Sequence, residues 1–223
     1  MSMRMICLLI GFAFGSVPTG FLIARLQGKD LRKMGSGNIG STNVLRSLGK
    51  FSAAMTLCGD ILKALIPLWI TAAVFGNSAG PDLKYIVTMY TGLGAVLGHD
   101  FSPWLHFNGG KGIATSGGTI LYTDPRFFLA SFATVILTAV VTGYVSLGSL
   151  MAAVVYLAAH IFILATGRYF GWPGFPAQTF GAAQRTEVLV MALVMAGLAA
   201  WRHKANIQRL LRGEENKFSF RRK

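Results

Sequence analysis

Three short segments carry residue types suited to holding phosphate. The first is Gly35-Ser36-Gly37-Asn38-Ile39-Gly40-Ser41-Thr42-Asn43, followed by Arg46. Glycines let backbone N–H groups approach an anion, and a helix N-terminus adds partial positive charge. Ser36, Asn38, Thr42 and Asn43 add neutral donors, and Arg46 adds a fork that matches two phosphate oxygens. Taken alone, this stretch reads equally well as a flexible polar loop with helix-capping residues. Its formal G-x-G-x-x-G is not a dinucleotide site. That fold needs a buried strand before the glycines, whereas Lys29-Asp30-Leu31-Arg32-Lys33-Met34 is highly charged.

The second segment starts at Gly98-His99-Asp100-Phe101-Ser102-Pro103 and ends at Gly109-Gly110-Lys111-Gly112. Lys111 is followed by glycine rather than Ser or Thr, so this is no Walker A loop. Three glycines around a lysine still make a compact cationic turn, with the lysine as a point charge for a phosphate oxygen. The competing reading is an ordinary lysine that keeps its loop cytoplasmic. His99 and His106 read as structural or interfacial. The third segment runs from Trp201 to Lys217, where His203, Asn206 and Leu210 share one helix face. The competing reading is a basic tail on anionic lipid, at about 1 kcal/mol per cation. It applies to Arg221, Arg222 and Lys223. Asp60 and Lys63, three residues apart in an apolar run, read as a mutually paired structural support.

The elements that must position these segments are apolar. Only 13% of the 223 residues are charged, against about 25% in soluble domains. With a mean hydropathy of +0.53, a chain this short cannot hide its apolar residues in a core of its own. The net charge of +13 fits anionic lipid or nucleic acid. Its clustering between apolar runs points to the membrane, with no nucleic-acid partner. Cys7 and Cys58 lie inside apolar runs and read as small hydrophobes. The eight acidic residues scatter, so no metal and no cofactor is expected.

Seven apolar segments can be marked: Met5–Ala24, Ser52–Phe75, Tyr85–Trp104, Gly112–Tyr122, Phe127–Tyr144, Leu147–Thr166 and Glu187–Trp201. The first reads as an uncleaved span, since no A-x-A cleavage site follows it. The fourth is too short to cross comfortably and reads as a tilted or half helix. Gly11/Gly15 and Gly94/Gly98 have the spacing of close helix contacts. Basic residues cluster after the first and last segments, with Lys111 after the third, which places the N-terminus outside and the C-terminal tail in the cytoplasm. That parity needs an odd number of crossings, seven by preference and five otherwise. The loop 167–186, with Tyr169, Phe170, Trp172, Phe175 and Phe180, reads as an interfacial aromatic anchor on the outer side. The expected fold is all-α: one domain over residues 1–223, a seven-helix transmembrane bundle with cytoplasmic glycine-rich loops.

None of the four histidines begins an H-x-x-x-x-D, which excludes the acyltransferases that deprotonate an alcohol with a His/Asp pair. The acidic repeat of the CDP-alcohol transferases is missing too. The three segments, in this order on one face of about seven spans, resemble the acyl-phosphate:glycerol-3-phosphate acyltransferase family, the PlsY type, over nearly the whole chain. The resemblance implies transfer of a fatty acyl group from acyl phosphate to the 1-hydroxyl of glycerol 3-phosphate. This would be the opening step of phospholipid synthesis, in the bacterial cytoplasmic membrane among membrane lipids. It implies catalytic roles for Ser36, Lys111, His203 and Asn206. Substrate binding would fall to Gly37, Asn38, Gly40, Thr42, Asn43, Arg46, Gly109, Gly110, Gly112 and, in the turn Tyr144-Val145-Ser146-Leu147, Ser146. Ser41, Asn108 and Lys204-Ala205 depart from the family's usual residues at peripheral positions. An acyl phosphate is already activated, so the enzyme needs positioning and charge stabilisation more than a strong nucleophile. Two other classes remain from the residues alone: a transporter of anionic phosphorylated compounds, and a non-catalytic scaffold on anionic lipid.

Overall fold

The computed structural model describes residues 2–76, 80–171 and 177–217; Trp172, Phe175, Arg221, Arg222 and Lys223 lie outside them. Its helices are α1 (Met3–Gly15), α2 (Thr19–Leu26), α3 (Ser41–Leu48), α4 (Lys50–Phe75), α5 (Gly80–Asp100), α6 (Ile113–Thr123), α7 (Pro125–Thr142), α8 (Val145–Thr166), α9 (Ala182–Arg202) and α10 (Lys204–Leu211). Among the described residues, five stretches are long and apolar enough to cross a membrane: Met3–Leu26, Lys50–Phe75, Pro125–Thr142, Val145–Thr166 and Ala182–Arg202. Their outer faces expose Trp69, Leu129, Val141 and Val154, as lipid-facing helices do. The protein is thus an integral membrane protein, all-helical among the described residues apart from one hairpin of two-residue strands.

The first apolar run, expected as one span, is two helices. Pro18 caps α2 and cannot donate a backbone N–H, so the helix breaks at residues 16–18. A break at membrane depth frees carbonyls that must find partners. Lys63 Nζ donates to the Val17 carbonyl at 2.9 Å. Ser102 Oγ donates to the Ser16 carbonyl at 2.5 Å. The break is therefore held by α4 and by the segment that leads to Lys111.

α5 is the central post. Its Tyr85, Met89 and Leu93 join Tyr156 and Ile163 of α8 and Met191 and Met195 of α9 in one apolar cluster. On its other side α5 meets α1 backbone to backbone. A Cβ on Gly11 would overlap the Thr91 carbonyl, and one on Gly94 the Leu8 carbonyl. The paired glycine spacings thus mark a real contact. α6 is short, as expected: its 11 residues reach only about 16 Å.

Two residues of the aromatic loop, Tyr169 and Phe180, depart from the expected anchor role. Arg168–Tyr169 (β1) pairs antiparallel with Gln178–Thr179 (β2), which turns Tyr169 and Phe180 inward. Both are buried and pack on Tyr85, with ring centroids 5.2 and 5.3 Å away. Tyr169 Oη also donates to the Thr123 carbonyl at 2.7 Å. The hairpin closes the bundle end, while Phe170 remains exposed. The hidden cue was the tyrosine hydroxyl, which lets a large ring enter a core if it finds an acceptor.

Gly94→Val should lower the unfolding free energy by roughly 1–3 kcal/mol through overpacking at the α1–α5 contact. Gly197→Ala, where an added Cβ meets nothing within 4 Å, should not lower it and should raise it by up to about 1 kcal/mol. Thermal unfolding in detergent measures both, and equal melting temperatures would contradict the contact.

Candidate active site

The first glycine loop is organised by Asn43, on the opening turn of α3. Its Oδ1 accepts from the Ser36 N–H at 2.9 Å, and its Nδ2 donates to the carbonyls of Met34 and Asn38 at 3.0 and 2.8 Å. Asn43 is thereby committed to shaping the loop. Gly35 and Gly37 sit at φ of 56° and 72°, a region that favours glycine. Ser36 faces outward and lines the pocket described below. Arg46, on α3, donates to the Asn216 carbonyl at 3.2 Å and so ties this loop to the C-terminal tail.

The Lys111 turn is clamped from two sides. The N–H groups of Gly109 and Gly110 donate to the Asp100 and His99 carbonyls, both at 3.1 Å. Arg202, the last residue of α9, places its fork on the Gly109 and Gly110 carbonyls at 2.7 and 2.8 Å. The glycine carbonyls are used here as acceptors, and Gly109 and Gly110 do not line the pocket; neither does Gly37. Gly112, at φ 70°, then starts α6.

The third segment meets the second directly. Lys111 Nζ donates to Asn206 Oδ1 at 2.5 Å. Asn206 Nδ2 donates to Glu215 Oε1 at 2.8 Å, and Ser146 Oγ donates to the same oxygen at 3.0 Å. Arg209 Nε donates to the other carboxylate oxygen at 2.8 Å. Burial pushes the Glu215 carboxyl up, but the bonds from Asn206, Arg209 and Ser146 outweigh it and hold the carboxyl below its usual range. His203, buried at the α9–α10 junction, directs Nδ1 at the Ala199 carbonyl, 2.7 Å away. A carbonyl only accepts, so Nδ1 carries the proton and Nε2 keeps a lone pair. Burial, and then Lys111, push the imidazole down to about 4. Burial also lowers Lys111 to about 8; Glu215 opposes this, while Arg209, Arg46 and Arg202 add to it.

These groups line one cavity of about 330 Å³. Ser36, Asn38, Gly40, Thr42, Asn43, Arg46, Lys111, Gly112, Ser146, His203 and Asn206 all contribute to its wall. An apolar limb continues past them along α8 to Tyr156, with Phe128, Phe132, Val135 and Met195 around it. From Ser146 to Tyr156 the helix advances about 15 Å, half the thickness of a bilayer's hydrocarbon core. The sequence reading overlooked Glu215, Arg202 and Asn216. Glu215 was visible inside the third segment, but its partner Ser146 lies 69 residues away. Among the described residues no group of three or more His, Cys, Asp or Glu could hold a metal.

Apolar helices around a pocket that joins a cationic mouth to an apolar limb define an integral membrane protein with its polar groups gathered at one site. The chain matches the family model "Glycerol-3-phosphate acyltransferase" over residues 5–213 and belongs to that family, in its PlsY type. It is 36% identical over 219 residues to a glycerol-3-phosphate acyltransferase of Rubrobacter xylanophilus, covering 98% of this chain and 97% of that one. To a Thermus thermophilus protein of the same name it is 41% identical, covering 96% and 94%. A crystal structure of PlsY, described as an integral membrane glycerol 3-phosphate acyltransferase in its glycerol 3-phosphate form, superposes with a TM-score of 0.78 at 35% identity, covering 98% and 96%. The chain is therefore an acyltransferase, and the transporter and scaffold readings are not favoured.

Glu215→Gln keeps the size of the side chain and removes its charge. It should lower kcat/KM by roughly tenfold or more, as hydrogen bonds to a charged group are lost. Trypsin should also cut faster after Arg212. A variant with wild-type turnover and wild-type proteolysis would show that Glu215 does not organise the site.

Proposed function

We propose that the enzyme moves a fatty acyl group from acyl phosphate to the 1-hydroxyl of glycerol 3-phosphate, at the cytoplasmic face of a bacterial inner membrane. The observation that carries this reading is the single cavity with a cationic mouth and an apolar limb. Two phosphates suit the mouth, and an acyl tail suits the limb.

In this reading Lys111 and the Ser36–Asn43 loop hold the acyl phosphate. Arg46, His203 and Asn206 hold glycerol 3-phosphate, with Ser146 beside them. The 1-hydroxyl oxygen attacks the acyl carbonyl carbon. The carbonyl C–O bond to phosphate breaks, and its electron pair leaves with the phosphate. Lys111 stabilises the charge that gathers there. An imidazole at about 4 holds a proton poorly at neutral pH. His203 therefore accepts a hydrogen bond from the 2-hydroxyl and orients the substrate, while a phosphate oxygen takes the proton of the attacking 1-hydroxyl. Gly109 and Gly110 act through the shape of the turn, and Gly37 through that of its loop.

The basic residues support an outside N-terminus and a cytoplasmic tail. Seven crossings follow if α5 and the short α6 are counted with the five long apolar stretches, in one domain over residues 1–223.

Purified protein in lipid nanodiscs should convert acyl phosphate and glycerol 3-phosphate to 1-acyl-glycerol 3-phosphate and phosphate. Turnover with an acyl-CoA or acyl-carrier donor instead would overturn the donor assignment. The pH dependence gives a second test. Lys111 is charged below about 8 and neutral above, so kcat/KM should fall as pH rises through that value. Lys111→Ala should lose this limb and nearly all activity while still inserting, and near-normal turnover would remove Lys111 from the mechanism.

A further inference from the structure

α4 and α5 place a second charged cluster against the Lys111 turn, apart from the residues assigned above. Lys63 Nζ lies 2.9 Å from Asp60 Oδ1 and 2.6 Å from His99 Nδ1. All three side chains are buried, with His99 only 4% exposed. An ammonium has donors and no acceptor, so its contact with Nδ1 makes that nitrogen the acceptor. The imidazole proton must then sit on Nε2.

That nitrogen faces the catalytic turn. A Cβ on Gly110 would overlap His99 Nε2, so the ring edge lies directly against the turn. His99 and Asp60 both line the cavity wall with Lys111 and Gly112. Among the described residues Nε2 has no hydrogen-bond partner, and it is not one of the sealed, unpaired atoms. It is an N–H donor open to the cavity. His203 is its opposite, with the proton on Nδ1 and a lone pair on Nε2. One histidine thus offers a donor to the pocket and the other an acceptor.

We propose that His99 is a further substrate-binding residue, whose Nε2–H donates to an oxygen of the phosphate that docks at the Lys111 turn. Asp60 and Lys63 are positioning residues that hold its tautomer. A purely structural histidine would need a protein acceptor for that N–H, since a buried donor left unpaired is costly. A phosphate oxygen supplies one. The inference rests on the reading of Lys111 as a phosphate ligand. In that reading the phosphate is that of acyl phosphate, and kinetics tests this against glycerol 3-phosphate.

The wild-type transfer assay comes first; its failure would sink the functional reading and not this one. Gln places an amide N–H near the Nε2 position, whereas Asn reaches only as far as Nδ1. His99→Asn should raise the KM of one phosphate substrate by roughly 10- to 100-fold, and His99→Gln markedly less. The substrate affected identifies the phosphate. Equal KM values for both variants and wild type, with melting temperatures unchanged, would overturn the proposal. A measurement without variants covers the case where these do not fold. In the wild-type protein with 15N-labelled histidine, inorganic phosphate should shift the His99 Nε2–H resonance downfield, while the resonances of exposed His106 stay in place. A His99 resonance that phosphate leaves unchanged, or a proton found on Nδ1 instead of Nε2, would contradict an open Nε2–H at the phosphate site.

Discussion

A lysine ammonium withdrawn from water needs acceptors, and the arrangement around Lys111 follows from how that need is met. The ammonium bonds to Asn206, and Asn206 passes the interaction to the Glu215 carboxylate. Ser146 and Arg209 bond to the same carboxylate. Arg46, Arg202 and Arg209 act on the same ammonium against the one carboxylate of Glu215, so positive charge is in excess around Lys111. Such an excess near low-dielectric walls is the electrostatic complement of phosphate. Glu215 keeps the cations in place without cancelling them.

The same requirement for acceptors explains the irregular backbone. Regular helices satisfy their own backbone groups in lipid, but the ends and breaks near the pocket do not. Lys63 and Ser102 fill the gap at the α1–α2 break, and Arg202 fills it at the Lys111 turn. These caps are polar side chains drawn from distant parts of the chain. They stiffen the surround of the pocket as a side effect of satisfying carbonyls. Catalysis that depends on positioning an already activated donor benefits from that stiffness.

Much of this was legible in the residues. The three cationic segments, the paired glycines of α1 and α5 and the short α6 all follow from local spacing. So does the Asp60–Lys63 pair, because three residues on a helix bring two side chains to one face. The break at residues 16–18 was visible in Pro18, yet the apolar run on either side masked it. What stayed hidden was long-range pairing. Arg202 reaches Gly110 across 92 residues and Lys63 reaches His99 across 36, and no periodicity encodes either. His99 accordingly read as structural or interfacial, because the lysine that sets its tautomer lies on another helix. The aromatic hairpin was misjudged for the same reason: composition shows that Tyr169 is amphipathic, but not that Thr123 offers an acceptor.

The central claim is that three separate turns meet at one end of the bundle, so that their charges act on the same ligands. Cysteines placed singly at Gly37, Asn108 and Arg212 in a cysteine-free background, in sealed vesicles of known orientation, test it directly with a membrane-impermeant maleimide. All three should label from the same side of the membrane. Labelling of any one from the opposite side would separate Arg46, Lys111 and His203 and leave no shared pocket.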